Sequence, residues 1–395
     1  MPAEQEFGLR DYLTLFGKEL SQRVRIHHYE DLPRQTRFER GTYILSAIDQ
    51  LHPGTVRLVE ELRCRLAELD GTRVLNHPLR TLSRCELLEK LWGLGRNRFR
   101  AVHAAQDIRG LRYPVFLRRD RTHEGAITDL LYTPRQLDTA LGHALLGGHP
   151  FHDLLVVEFC NTADERGYFR KYGSFVVGKE VMARSLELGP YWMLKDETSD
   201  FSRDMLLEEQ EYVRSNPHRH QLAEIFAIAG VEYGRIDYSV SDGAIQTWEI
   251  NTNPTVGLRI GLDLSRRPPE LAAMRDLNRE HFGARFRAAM AAVDVESTGP
   301  PMELAFDSRI IRTALGENRR RAISSAGLRA VLRPFKPLLA PAGVRVLGLL
   351  ARLIRRARRY ARLAPPLRSP PPPEHPRRGN QRGPRLPGRW FRRRA

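Results

Sequence analysis

The chain has 395 residues with 41% hydrophobic and 28% charged content, the composition of a globular protein long enough to bury two or three domains' worth of core. Its formal net charge is +17, but residues 319–395 hold 22 Lys+Arg against one acid, Glu374, a net of +21 that leaves the first 318 residues at −4. The basicity therefore belongs to the tail and does not make the globular part a nucleic-acid binder. Cys64, Cys85 and Cys160 are odd in number and scattered, which excludes a disulfide framework and a zinc cluster and suits a reducing cytosol. With neither a secretory pattern in "MPAEQEFGLR" nor a run of 18 apolar residues, the expected location is cytoplasmic.

Residues 1–40 show no firm period. "GTYILSAI" (41–48) reads as a strand and "HPGTVRLVEELRCRLAELDG" (52–71) as a helix with Pro53 near its start and Gly71 at its stop. A short strand, "TRVLNHP", and an amphipathic helix, "LSRCELLEKLWGLG", complete a small α/β unit with a parallel sheet. Beyond residue 99 the strands are longer and more often adjacent: "YPVFLRR" (113–119), "DLLVVEFC" (153–160) and "YFRKYGSFVVGKEVMARSL" (168–186), with helices at about 134–146, 202–230 and 268–293. The mixture predicts an α+β fold whose working surface is an antiparallel sheet.

The chemistry gathers in "YGRIDYSV" and "TWEINTNPTVG" (247–257), two strands joined by the turn signal "SDG". Strand alternation puts Glu249, Asn251 and Asn253 on one face and turns Trp248 and Ile250 to the other. Pairing would bring Asp237 against that row of oxygens. Magnesium is a hard cation held by one or two carboxylates plus substrate phosphates, so the set suits a nucleotide-bridging ion. On spacing alone, a solvated β-ribbon remains an equal alternative.

Taken together, the strand order, the acidic hairpin and the basic strands resemble the ATP-grasp superfamily over residues 41–260. That resemblance implies a fold in which two α+β subdomains clamp ATP behind a small pre-ATP-grasp α/β domain. The implied divisions are 1–40 as an N-terminal segment, 41–80 as the pre-ATP-grasp domain, 81–295 as the ATP-grasp domain, 296–340 as linker and C-terminal helices, and 341–395 as basic helix and tail. It implies Asp237, Glu249 and Asn251 as metal ligands, with magnesium or manganese as the ion, and ATP as the nucleotide. It implies Arg118, or else Arg119, and Arg184 as phosphate contacts and catalytic cations, and Glu158, Phe159 and Cys160 as the hinge that reads adenine. Arg84 stands where the family commonly has a lysine, and "DRTHEGA", the loop expected to cover phosphates, has only Gly125 where relatives carry more glycine. Arginine stays charged and forks to phosphate oxygens. The implied activity is an ATP-dependent ligase joining a carboxylate to an amine through an acyl-phosphate; alternatives are a small-molecule kinase and a non-catalytic nucleotide-binding or tethering module.

Other residues point less sharply. Of Arg170 and Lys171, alternation lets at most one enter a cleft; Lys195 reads as a solvated lysine, and His123 sits in the phosphate loop. His218 and His220 lack the helical zinc spacing and read as solvent-facing. No serine-hydrolase, zinc-protease or P-loop signature occurs. In "PAGVRVLGLLARLIRRARRYARL" (341–363), residues 347, 350, 354, 357 and 361 share an apolar face opposite Arg352, Arg355, Arg356, Arg359 and Arg362. This basic amphipathic helix suits an anionic membrane surface or a protein partner before nucleic acid. The Pro/Arg-rich segment after it cannot bury a core and is expected to be disordered. The acceptor, a small molecule or a peptide, has no signature.

Overall fold

A computed structural model describes residues 1–15, 17–195, 199, 201–256, 268–296, 299–314, 316 and 353. Apart from Leu353, the basic helix and the Pro/Arg-rich tail lie outside these residues. Residues 1–40, silent in the sequence, form helices α1 (Phe7–Leu15) and α2 (Lys18–Ser21) and a short strand β1 (Arg37–Phe38). Strand β2 (Gly41–Ile44) pairs in parallel with β3 (Thr72–Leu75), and α3 (Pro53–Ala67) connects them. Helix α3 buries Leu58, Leu62 and Leu66, one residue per turn. Buried Asn76, in the left-handed region at φ +66°, fastens this unit to the rest. Its Oδ1 accepts from Glu232 N and Tyr233 N, and its Nδ2 donates to Leu45 O and Tyr233 O, at 2.8–3.0 Å.

Helix α4 (Arg84–Gly93) opens with a reciprocal cap between Ser83 and Glu86. It leads to a three-stranded antiparallel sheet of β4 (Ala101–His103), β5 (Val115–Arg119) and β6 (Leu154–Glu158) in the order β4-β6-β5. Alternation decides which helix each residue meets. Val115, Leu117, Leu154 and Val156 pack on α5 (Pro134–Leu146), while Phe116, Leu155 and Val157 pack on Cys85 and Leu88 of α4.

Strands β7 (Phe169–Val177), β8 (Glu180–Gly189), β9 (Tyr233–Ser241) and β10 (Ala244–Asn251) make a four-stranded antiparallel sheet in the order β10-β9-β7-β8. Asp242 and Gly243 both take positive φ, 48° and 73°, as a two-residue hairpin turn of matching twist requires. The helical run expected over 202–230 is two helices, α6 (Arg203–Ser215) and α7 (Arg219–Ala229), because Asn216 turns left-handed at φ +48° just before Pro217. The long helix α8 (Pro269–Val293) buries Phe282 and Phe286 against β7 and β8, and Tyr12 of α1 meets Phe286 edge-on at 5.3 Å. Strand β11 (Met302–Glu303) returns to pair with β1.

Two antiparallel sheets, each backed by helices, thus face one cavity, with the parallel unit beside them. This is the α+β clamp that the resemblance implies. Among the described residues no helix is long and apolar enough to cross a membrane.

Candidate functional site

The β9–β10 hairpin supplies the cavity's acidic wall. In its register Glu249 lies opposite Asp237 and Asn251 opposite Arg235. All four side chains line one cavity of about 960 Å³ together with Arg118, Arg184 and Asn253. The pairing expected from alternation and turn therefore forms. One detail differs: Trp248 does not face away. The register shifts between Thr247 and Glu249, and such a bulge turns consecutive side chains toward one face. Asn97 holds the bulge in place by accepting from Thr247 N (2.9 Å) and donating to Thr247 O (3.0 Å). Trp248 then lines the cavity, its ring 5.0 Å from Phe99 and its Nε1 donating to Ser239 Oγ at 2.9 Å.

Glu249 is the electrostatic centre. Its Oε2 accepts from Arg84 at 2.6 Å and from Arg118 at 2.7 Å, and its Oε1 lies 3.4 Å from His123 Nδ1. Burial alone would raise its pKa, but the two guanidinium groups and His123 hold it well below the carboxylate range. His123 shows the mirror effect. Burial opposes its charge, yet Asp49 (3.1 Å) and Glu249 raise it to about 9. As an imidazolium it donates from both nitrogens, so Nδ1 beside Arg84 Nη2, at 3.3 Å, is a cation–cation approach that Glu249 bridges. Asp49 in turn accepts from Thr252 N at 3.1 Å, which joins the loop around His123 to the parallel unit and to the end of β10.

Arg84 stands behind the wall rather than in the cavity. It donates to the carbonyls of Arg119, Asp120 and Thr122 at 2.7–2.8 Å as well as to Glu249. Its donors fix the 119–122 backbone, and its side chain does not line the cavity. Arg118 does face the cavity, and burial with the charge of Arg84 pushes its pKa down to about 10. Arg119 points the other way, to Asp153 at 2.9 Å. Gly125, at φ +91°, brings the loop to within 3.6 Å of Lys195 Cε measured from where a Cβ would sit. Lys195, expected to be solvated, lines the cavity.

The hinge divides in a similar way. Glu158 is 3% exposed and spends its carboxylate on Arg100 N (3.0 Å), Arg112 N (2.7 Å) and the Arg112 guanidinium (2.9 Å), so it braces the strand ends from behind. Phe159 and Cys160 line the cavity. With Phe116, Trp192 and Trp248 they form an aromatic slot; Trp192 lies 4.9 Å from Phe116 and 5.9 Å from Phe159. A flat base stacks favourably on such walls.

On the opposite side, Arg235 grips its own strand neighbour Asp237 through two hydrogen bonds, 2.8 and 3.1 Å. Lys171 reaches Glu187 at 2.7 Å and Leu194 O at 3.0 Å. Burial works against its charge, but Glu187 and Asp237 raise its pKa. Arg170 also borders the cavity, held by Asp164 and Glu208, so both residues of that alternating pair reach it. His218 is half-buried, its Nδ1 2.8 Å from the Tyr238 hydroxyl, rather than solvated; His220 is exposed.

Two carboxylates and an amide in register, open to one cavity, fit a hard divalent ion completed by phosphate oxygens. Among the described residues no three His, Cys, Asp or Glu side chains gather to hold a metal by themselves. An ion there would take the Asn251 amide as a third donor; its Oδ1 accepts from Asn253 N at 2.7 Å and keeps a second lone pair.

No family model and no curated protein matches the chain. Among solved structures, it is similar to a D-alanine–D-alanine ligase from Bacillus anthracis complexed with ATP, with 11% identity and a TM-score of 0.38 over 73% of this chain and 96% of that one. The corresponding enzyme from Coxiella burnetii gives 14% identity and 0.34 over 60% and 67%. An L-amino acid ligase from Bacillus licheniformis gives 14% and 0.29 over 44% and 43%.

Sequence reading missed Arg235 and Arg275. Arg235 is two residues from Asp237 on one strand, so alternation already placed them together. Arg275 lies on α8, where only tertiary packing reveals what it faces.

Proposed function

We propose that this protein is an ATP- and magnesium-dependent ligase that joins a carboxylate to an amine through an acyl-phosphate. The observation that carries this reading is the convergence of Asp237, Glu249 and Asn251 with Arg118 and Arg184 in a cavity that also holds an aromatic slot. Asp237, Glu249 and Asn251 would hold the ion, whose chemistry is to screen the phosphate oxygens of the nucleotide. The aromatic slot with Phe159 and Cys160 would seat the base.

Arg118 from one sheet, and Arg184 with Arg235 from the other, would offset the charge that builds on the transferring phosphoryl group. An acid's carboxylate oxygen attacks the γ-phosphorus and the bond to the β-bridging oxygen breaks, releasing ADP. An amine nitrogen then attacks the acyl carbon, inorganic phosphate leaves with the C–O bond electrons, and the nitrogen loses a proton. The loop 120–126, pinned by Arg84 and His123, would exclude water from the acyl-phosphate.

The test is calorimetric titration of MgATP, and of ATP with chelator, into the wild-type chain and Glu249→Gln, followed by ADP release assayed with panels of acids and amines. Magnesium-dependent binding abolished by the substitution, with ADP release that requires both an acid and an amine, is the expected result. Release that needs one acceptor alone would make the protein a kinase. Binding that is indifferent to magnesium would remove the metal assignment.

A further inference from the structure

The cavity's cations fall into two groups that differ in how they are neutralised. Arg118, with Arg84 and His123 behind it, is spent on Glu249. Arg184 of β8 and Arg275 of α8 are not spent in this way. Arg184 is 7% exposed, and among the described residues it has neither a hydrogen bond nor a carboxylate within ion-pair distance. Its guanidinium lies over the Phe282 ring, 5.1 Å from the centroid. Arg275 is 6% exposed, sits over Phe201 at 5.7 Å, and among the described residues comes no nearer to a carboxylate than 3.5 Å, at Glu209 Oε2. Neither Nε has a hydrogen-bond acceptor among the described residues.

Among the described residues the acid nearest Arg275 is already engaged. Glu209 is 1% exposed and accepts from Asn278 Nδ2 at 3.0 Å and Leu186 N at 3.3 Å. Burial and the charges of Arg275, Arg279 and Arg235 oppose Arg184's own charge and push its pKa down to about 10, Glu209 compensating only in part. A desolvated guanidinium without a partner is costly; Arg184 is one among the described residues, Arg275 has only the 3.5 Å approach of Glu209, and both line one cavity. An oxyanion, planar or tetrahedral, matches the donor fork they leave open.

The elements involved indicate which anion belongs there. The aromatic slot is built by β5, the end of β6, Trp192 and β10, whereas Arg275 comes from α8, the helix on which α1 packs. Gln5, Phe7 and Thr255 also line the cavity, so the N-terminal segment supplies wall that the nucleotide slot does not use.

We propose that Arg275 is a specificity-determining residue that binds a second acidic group on the acceptor, making the acceptor a dicarboxylic or phosphorylated acid rather than a monocarboxylate. This rests on the ligase reading above, which sets Arg184 beside the transferred phosphoryl group and leaves Arg275 to the acceptor.

The experiment titrates succinate, inorganic phosphate and acetate into the MgADP-saturated full chain by calorimetry, for wild type, Arg275→Gln and Arg275→Lys. Succinate and phosphate are expected to bind at least tenfold more tightly than acetate. Arg275→Gln should weaken both at least tenfold while MgADP affinity stays within twofold. The tail's arginines are common to all three proteins, so the difference between them reads the cavity. If Arg275→Gln does not fold, Arg275→Lys, which keeps the charge but loses the fork, should weaken succinate several-fold. Equal affinities for succinate and acetate, anion binding indifferent to Arg275, or displacement of phosphate by MgADP would each overturn the proposal. A wild type that binds no MgADP would overturn the ligase reading instead, and the anion titrations on the nucleotide-free chain would still decide the role of Arg275.

Discussion

Asp237 and Glu249 face each other across one hairpin, yet they are neutralised in opposite ways. Asp237 is held by a single arginine two residues along its own strand. Glu249 is held by Arg84 at the start of α4, Arg118 on β5 and His123 in the loop after it. The first arrangement is local and forms with the strand. The second ties the three-stranded sheet, the loop and the four-stranded sheet to one carboxylate. Two carboxylates that look equivalent in the hairpin are therefore unequal to the fold: one is held within its own strand, and the other also ties the two sheets together.

The strongest way to test that inequality is to remove each charge. Glu249→Gln leaves Arg84 and Arg118 buried against each other, and a broken buried pair costs about 3–5 kcal/mol; denaturant unfolding should show a loss of that size, with magnesium-dependent nucleotide binding gone. Asp237→Asn should abolish the same binding but cost only about 1.5 kcal/mol, since Arg235 keeps an amide partner and partial solvent. If the two substitutions cost the same, the distinction between local and assembling carboxylate collapses.

A weaker effect is expected at the aromatic slot. Trp248→Ala removes a stacking wall worth about 1–1.5 kcal/mol, so nucleotide affinity should fall roughly tenfold with little change in its magnesium dependence. The thiols probe the same slot. Burial raises the Cys160 pKa and pushes Cys85 up to about 12, so both are neutral at pH 7 and only their thiolates react. Alkylation of Cys160 should accelerate as pH rises and be slowed by MgATP, whereas Cys85, at 2% exposure, should stay unmodified in the folded chain; mass spectrometry of the labelled peptides separates the two. The smallest effect belongs to Arg119→Gln. Its guanidinium faces Asp153, so nucleotide affinity should change less than twofold, while Arg118→Gln weakens it at least tenfold in the same titration.

The acidic hairpin was legible because its signals are local: alternation, a two-residue turn with positive φ, and a carboxylate on each strand. Period two puts Arg118 and Arg119 on opposite faces, so one of them at most enters the cavity, but the preference for Arg118 comes from the family resemblance. Trp248 was not legible, because the bulge that turns it inward is fixed by Asn97, 150 residues away. Arg84 and Glu158 show a different limit. Sequence places them beside the site, but their donors and acceptors are used by distant backbone, which only the folded chain reveals. The helices α1 and α2 escaped because residues 1–40 are ordered by contact with α3, α8 and β11 rather than by a pattern of their own.

Asn76 carries a consequence for how the chain is made. Its four hydrogen bonds are complete only when Glu232 and Tyr233 are present, 156 and 157 residues later, and β1 waits longer still for β11. A ribosome releases the parallel unit well before either partner exists, at about 5–20 residues per second. For about ten seconds or more at that rate, then, the Asn76 side chain has Leu45 O to donate to but lacks its partners at 232 and 233. The order of synthesis opposes the order of closure, and refolding from denaturant, where both ends are available at once, should yield the native chain faster than elongation allows.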